Sequence, residues 1–198
     1  MKKIKISTIL GLAALVLALV ALLMPLTAAF SMKTEVTILG NTTTTLIAYG
    51  SVYAFMFGGS APVTTTITSP AGTNVNQSTL ELERIAVTPL IGWILLALGL
   101  LAFCGAIFLA CKKNKLTGLV MIGAAVLLVV GAVLFFASRD SLLLAANGKD
   151  ATMEDVNNAL NATKTAVSLG FGVVGTGIFA ILSGLSAAGS AVLAHLKK

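Results

Sequence analysis

Apolar positions in this chain do not alternate with polar ones over long stretches. They run on in four blocks, at residues 6–30, 89–110, 116–137 and 166–193, and none of these blocks contains Asp, Glu, Lys, Arg or His. About 20 helical residues cross the roughly 30 Å of bilayer hydrocarbon. The pattern therefore predicts four transmembrane helices. A closed barrel, the other way to span lipid, would show short alternating strands in place of continuous apolar runs. The first block follows three lysines, and Thr27-Ala28-Ala29 resembles a secretion-signal cleavage site. Its apolar run is longer than the roughly 7–15 residues of a signal core, so an uncleaved helix explains it better.

The polar stretches between the blocks have their own patterns. Residues 31–88 are rich in Thr and Val and predict a small sheet. Strands are expected at residues 34–39, 42–48 and 63–68, with a fourth beginning at Val75. Gly40-Asn41 and the run from Ser69 to Gly72 supply turn chemistry. Residues 111–115 form a brief turn. Residues 138–165 look helical: the third block can run on to Ala146 and stop at Asn147-Gly148, and the stretch from Thr152 to Asp155 resembles a capping box. Met153, Val156, Leu160 and Val167 recur near a helical period, so the fourth helix is expected to begin before its apolar block. Thr88-Pro89 is a helix start signal for the second block. The expected fold class is an all-α transmembrane four-helix bundle, with a small antiparallel β extracellular domain inserted between helices 1 and 2.

Composition agrees with a membrane protein: 198 residues, 57% hydrophobic, 10% charged, with a mean hydropathy of +1.00. Charge adds orientation. All seven acids, Glu35, Glu81, Glu83, Asp140, Asp150, Glu154 and Asp155, lie in residues 31–88 and 138–165. Lys2, Lys3, Lys5, Lys112, Lys113, Lys115, Lys197 and Lys198 flank the opposite ends of the same blocks. Because Lys and Arg are retained on the cytoplasmic side, the chain is expected to sit in the cell membrane with both termini cytoplasmic. The basic clusters would contact anionic lipid headgroups. No aromatic-basic patch accompanies them, so nucleic acid is not an expected partner.

Several residues stand out as candidates. Gly172, Thr176, Ala180, Gly184 and Ala188 follow one another at four-residue steps along the fourth block, a small-residue face that lets another helix approach closely. That helix could belong to the same bundle, to a second copy or to another membrane protein. Residues 49–57 concentrate Tyr49, Tyr53, Phe55 and Phe57, which should be buried, interfacial or a contact surface. Cys111 directly precedes Lys112-Lys113 at the cytoplasmic edge, a setting for reversible acylation. Asn41, Asn76 and Asn161 each begin an N-glycosylation pattern. His195 has no acid or cysteine near it in sequence and reads as a helix-end cation. No nucleophile motif, phosphate loop or paired carboxylate is evident, and neither a cofactor nor a metal site is expected. Proton relays and coupled pumps ordinarily need ionisable groups within the membrane, and here there are none.

The order of these parts resembles the claudin-like four-span (tetraspan) membrane proteins: a short inner N-terminus, a large strand-rich first outer loop, a brief inner turn, and a shorter, helical second outer loop. Arg84 just before the second block and Lys115 at the start of the third are similar to positions in that family. The family's Trp, Gly-Leu-Trp, Cys, Cys signature is absent, since the single Trp93 lies within the second block and Cys104 and Cys111 lie at the second block and its end. The resemblance implies an outer sheet held on a left-handed four-helix bundle, and adhesion or sealing is not carried over with it. The expected function is that of a non-enzymatic scaffold or contact protein acting through its outer domain and lateral helix packing. The alternative is an accessory or pore-forming subunit of a membrane transport complex. A membrane enzyme acting on lipid is the least favoured reading.

Overall fold

The structure is a computed structural model and describes residues 6–111 and 116–195. The basic clusters at Lys2, Lys3, Lys5, Lys112, Lys113, Lys115, Lys197 and Lys198 lie outside the described residues. In chain order the elements are α1 (Ile6–Leu23), a 3-10 turn (Met24–Leu26), β1 (Phe30–Ile38), β2 (Asn41–Tyr49), α2 (Val52–Phe57), β3 (Gly59–Ser69), β4 (Gly72–Leu82), α3 (Val87–Cys111), α4 (Thr117–Phe136), α5 (Arg139–Ala146), α6 (Met153–Ala162), β5 (Ala166–Leu169) and α7 (Phe171–His195). They form two compact units. One contains α1, α3 from Ile91, α4, and α7 from Gly175; the other contains Pro25–Leu90 and Ala137–Val174.

The helical unit is packed inside out relative to a water-soluble domain. Its core is built largely of alanine, with Ala14, Ala106, Ala124, Ala125, Ala187 and Ala191 gathered around Phe103 and Met121. Large aliphatic side chains point away from that core, with Leu101 67% and Leu119 73% exposed. Water would penalise such a surface by roughly 25 cal/mol for every Å² of apolar area, whereas hydrocarbon does not. Four helices are long and apolar enough to cross a membrane: Ile6–Leu26, Val87–Cys111, Thr117–Phe136 and Phe171–Leu193. Interior hydroxyls are satisfied across helices. Ser183 Oγ donates to the Ala14 carbonyl at 2.7 Å, and Ser190 Oγ donates to that of Ser7 at 2.8 Å.

The second unit carries one five-stranded antiparallel sheet, in the order β4-β3-β2-β1-β5. The β1–β2 hairpin turns through two residues, Leu39 and Gly40, both at positive φ (51° and 81°), one residue earlier than Gly40-Asn41. Positive φ at both central residues matches the right-handed twist of the flanking strands, so the register follows the turn. Pro70 and Ala71 connect Ser69 to Gly72, and β3 and β4 then pair without interruption to Gly59↔Leu82. Buried Phe30, Val52, Phe55, Met56, Leu142 and Leu143 supply the core of this unit.

Two stretches depart from the hydropathy pattern. The apolar block at 6–30 contains a helix only to Leu23, with Pro25 in the turn that follows and Phe30 already in β1. Proline has no N–H to continue a helical ladder, and it ends the run here. At the other end of the chain, the expected helix through residues 153–167 is interrupted. Helix α6 stops at Ala162, Lys164 adopts a positive φ of 50°, and Ala166–Leu169 form β5, paired with Phe30–Lys33 of β1. The sheet thus draws on the second polar stretch as well as the first. Helix α4 likewise ends at Phe136, and α5 is a separate helix that starts at Arg139.

Candidate functional site

The small-residue face of the fourth apolar helix is occupied within the chain. Thr176, Ala180 and Gly184 are buried and Ala188 is half-buried. A methyl group placed on Gly184 would lie 2.9 Å from Val129 Cγ2 and 3.1 Å from the Ala125 carbonyl oxygen, both of α4. Gly177, one residue round from Thr176, similarly leaves room for the Phe136 ring, which a Cβ would meet at 2.5 Å. Gly172 belongs to the sheet unit. Its N–H donates to the Ala28 carbonyl at 2.9 Å, and an added Cβ would come within 2.7 Å of the Thr27 oxygen. The neighbouring Gly170 is held as tightly: its N–H donates to the Ala29 carbonyl at 2.8 Å, and a Cβ there would collide with the Ala28 backbone.

A second seam joins α3 and α4 and was not singled out from the sequence. Cβ atoms built on Gly92 and Gly131 would each meet the other residue's carbonyl oxygen, at 3.0 and 2.9 Å. One step along, a Cβ on Gly99 would meet Leu128 Cγ at 3.0 Å and the Ala124 carbonyl at 3.3 Å. Gly92 and Gly99 are seven residues apart, as are Ala124 and Gly131, so two antiparallel helices present small residues to each other in register. Seven-residue spacing is the mark of left-handed helix packing. It was readable in the sequence, but only by looking for heptads in the second and third blocks as well as four-residue steps in the fourth. Trp93, beside this seam, donates from Nε1 to the Leu22 carbonyl at 3.4 Å.

The aromatic run divides between interior and surface. Tyr49 stacks on Phe30 with ring centroids 4.4 Å apart and planes 15° from parallel, and Phe55 meets both rings edge-on. Phe55 is fully buried, so it cannot serve as a contact surface. Burial raises the Tyr49 phenol above its ordinary value of 10.0 by penalising the charged form. Tyr53 and Phe57 stack separately at 5.7 Å; Phe57 is 55% exposed. Phe57 is thus the exposed ring of the run, while Tyr49 and Tyr53 are half-buried. Sequence density alone could not separate buried rings from exposed ones, because the burial of Phe55 depends on Phe30, which lies far away along the chain.

Cys111 is the last residue of α3 and is exposed, as is Cys104. The His195 side chain lies outside the described residues. Arg84 Nη1 donates to the Ala151 carbonyl at 3.4 Å, so it ties the end of β4 to the start of α6. Among the described residues, no group of three or more His, Cys, Asp or Glu could hold a metal ion.

Four membrane-type helices and one small antiparallel sheet define a multi-pass membrane protein and fit a tetraspan topology. Compared with known proteins, the chain matches no family model and no curated sequence.

Proposed function

We propose that this chain is a non-enzymatic four-span contact or scaffold protein of the cell membrane, with a claudin-like arrangement in which the sheet unit stands outside and both termini are cytoplasmic. The observation that carries this reading is the division of residue types. Acids lie only in the two stretches that build the sheet unit, while the apolar blocks that build the helical unit hold no Asp, Glu, Lys, Arg or His. Such a body has a place for recognition, in an exposed and mostly polar sheet, and none for proton-coupled chemistry. Lys112, Lys113 and the terminal lysines would meet anionic headgroups. The small-residue stripe of α7 is met within the chain, by α4 at Gly184 and by the Thr27–Ala28 backbone at Gly172, so lateral association with a second copy or another membrane protein falls to other surfaces.

Crosslinking in intact membranes followed by purification in mild detergent tests the function. Recovery of the chain with a second copy or with a discrete membrane partner is expected. A monomer without neighbours would remove the scaffold reading. Orientation is checked separately by labelling a Thr43→Cys variant in intact cells, since Thr43 is only half-buried on β2. Reagent that reaches it only from the cytoplasm would reverse the assigned topology.

A further inference from the structure

Helix α2 is short, and it is held against the ends of three membrane-type helices. Val52 N–H donates to the Thr27 carbonyl at 3.3 Å, one residue beyond the span Ile6–Leu26. The Phe55 carbonyl accepts from Ala86 N–H at 2.6 Å, one residue before the span that starts at Val87. Val52 Cγ2 lies 2.9 Å from where a Cβ on Gly172 would stand, and Gly172 follows Phe171, the first residue of the last span. All of these residues belong to the sheet unit. An apolar span ends where hydrocarbon gives way to headgroups and water. With three such ends converging on it, α2 is fixed at the level of that boundary.

What α2 presents at this level is aromatic and uncharged. Val52, Phe55 and Met56 are fully buried in the unit. Tyr53 and Phe57, four residues apart and so on one face of the helix, stack at 5.7 Å, and Phe57 remains 55% exposed. The apolar surface continues beyond α2. A Cβ built on Gly58 would stand 3.8 Å from Ile85 Cγ2, and Ile85 and Val87 are both exposed. From Val87 an exposed stripe runs down α3 at three- and four-residue steps, through Ile91, Ile94, Leu98 and Leu101. On the other side of Ile85 stand Glu83 and Arg84, both exposed and charged. The surface therefore changes from charged to apolar between Arg84 and Ile85, at the level where α2 is held.

We propose that the Tyr53–Phe57 face of α2, with Ile85 and Val87, is a lipid-contact surface seated in the glycerol and ester layer of the leaflet nearest the sheet unit. Continuity selects the partner: the patch is the upper end of the stripe on α3 that hydrocarbon covers. Its chemistry suits that layer, since Phe57 supplies apolar area and Tyr53 an apolar body with a polar tip, the combination enriched at headgroup level. No charged residue lies in α2, so the contact makes no demand on headgroup charge. Seated in this way, α2 sets the depth at which the sheet unit meets the membrane. The inference does not depend on the contact reading above.

The test uses the full chain in phosphatidylcholine vesicles. In a Trp93→Phe background, Phe57→Trp should emit at shorter wavelength than Leu39→Trp, lose emission to lipid brominated near the top of its acyl chains, and be spared by aqueous iodide. Leu39 is the water reference, because it is 98% exposed in the β1–β2 turn, at the far end of the hairpin from Phe30 and Tyr49. Since replacing Trp93 removes its bond to the Leu22 carbonyl, a second measurement keeps it. A nitroxide on Phe57→Cys, in a Cys104→Ala/Cys111→Ala chain, should collide more often with oxygen than with a water-soluble nickel complex. Iodide quenching of Phe57→Trp equal to that of Leu39→Trp overturns the proposal. Protection of Phe57→Trp from both iodide and brominated lipid also overturns it, because a protein then covers the patch. Crosslinking of the chain to neighbours bears on the contact reading alone, so the two can fail separately.

Discussion

The α3–α4 seam makes a sharp prediction about a single methyl group. In Gly131→Ala, the new Cβ would lie 2.9 Å from the Gly92 carbonyl oxygen and 2.9 Å from Leu96 Cδ2. Leu96 is fully buried, and the Gly92 oxygen belongs to helix backbone. The helices must separate by several tenths of an ångström. Overpacking of this kind costs about 1–3 kcal/mol. Alanine offsets part of it through a helix propensity roughly 1 kcal/mol better than that of glycine. Gly105→Ala is the control, because its Cβ meets nothing within 4 Å and only the propensity gain remains. The expected gap between the two variants is about 1–3 kcal/mol, the packing cost alone. Unfolding can be followed in mixed micelles of increasing denaturing-detergent fraction, by helix content and by fluorescence of Trp93, which sits next to Gly92. Adding Gly92→Ala to Gly131→Ala should cost less than the sum of the two, by about 0.5–1 kcal/mol, since both methyl groups contest one gap. If Gly131→Ala is as stable as Gly105→Ala, or if the two seam costs simply add, the backbone contact is not what holds these helices.

Three further outcomes follow from the sheet unit. Gly170→Ala should lower its stability by about 1–3 kcal/mol and loosen β5 from β1, seen as faster hydrogen exchange at Lys33 and Val167. Thr152→Ala should cost about 1 kcal/mol locally by removing the cap in which Thr152 Oγ1 accepts from Asp155 N–H at 3.2 Å, read as faster exchange in the first turn of α6. Tyr49 has a raised folded pKa, so the folded state holds the phenolic proton more tightly than the unfolded state does. Its contribution is complete below the ordinary value of 10.0 and is lost as pH rises from there through the folded value. Ultraviolet titration should show Tyr49 ionising above its ordinary value, and Tyr49→Phe should remove that late step and flatten the alkaline loss of stability.

The parts of the fold that are local in sequence were legible from it. Long uncharged apolar runs pointed to membrane-type helices, and the apolar residues interleaved among the threonines of residues 31–88 favoured strands over a flexible linker. Ala166–Leu169 was hidden because its residues are as apolar as the helix that follows; only its pairing with Phe30–Lys33 makes it a strand, and no local signal reports that pairing. The same holds for the aromatic run. Tyr49 and Phe55 pack on Phe30, while Phe57 stacks on Tyr53 instead and stays 55% exposed. The four-residue small stripe on α7 was plain in sequence, but what meets it, Ala125 and Val129 of α4 at Gly184 and the Thr27–Ala28 backbone at Gly172, comes only from structure.

The fifth strand also bears on how the chain is made. β1 is synthesised after the first apolar helix and β5 just before the last, so α3 and α4 both lie between the two partners. Phe30 can meet Leu169 only if those two helices have together returned the chain to the side it left. Failure of either one to insert would strand the partners across the bilayer and leave the sheet open. Closure of β1 with β5 is therefore a parity check on the number of crossings between them, because an unclosed sheet marks a crossing that was missed.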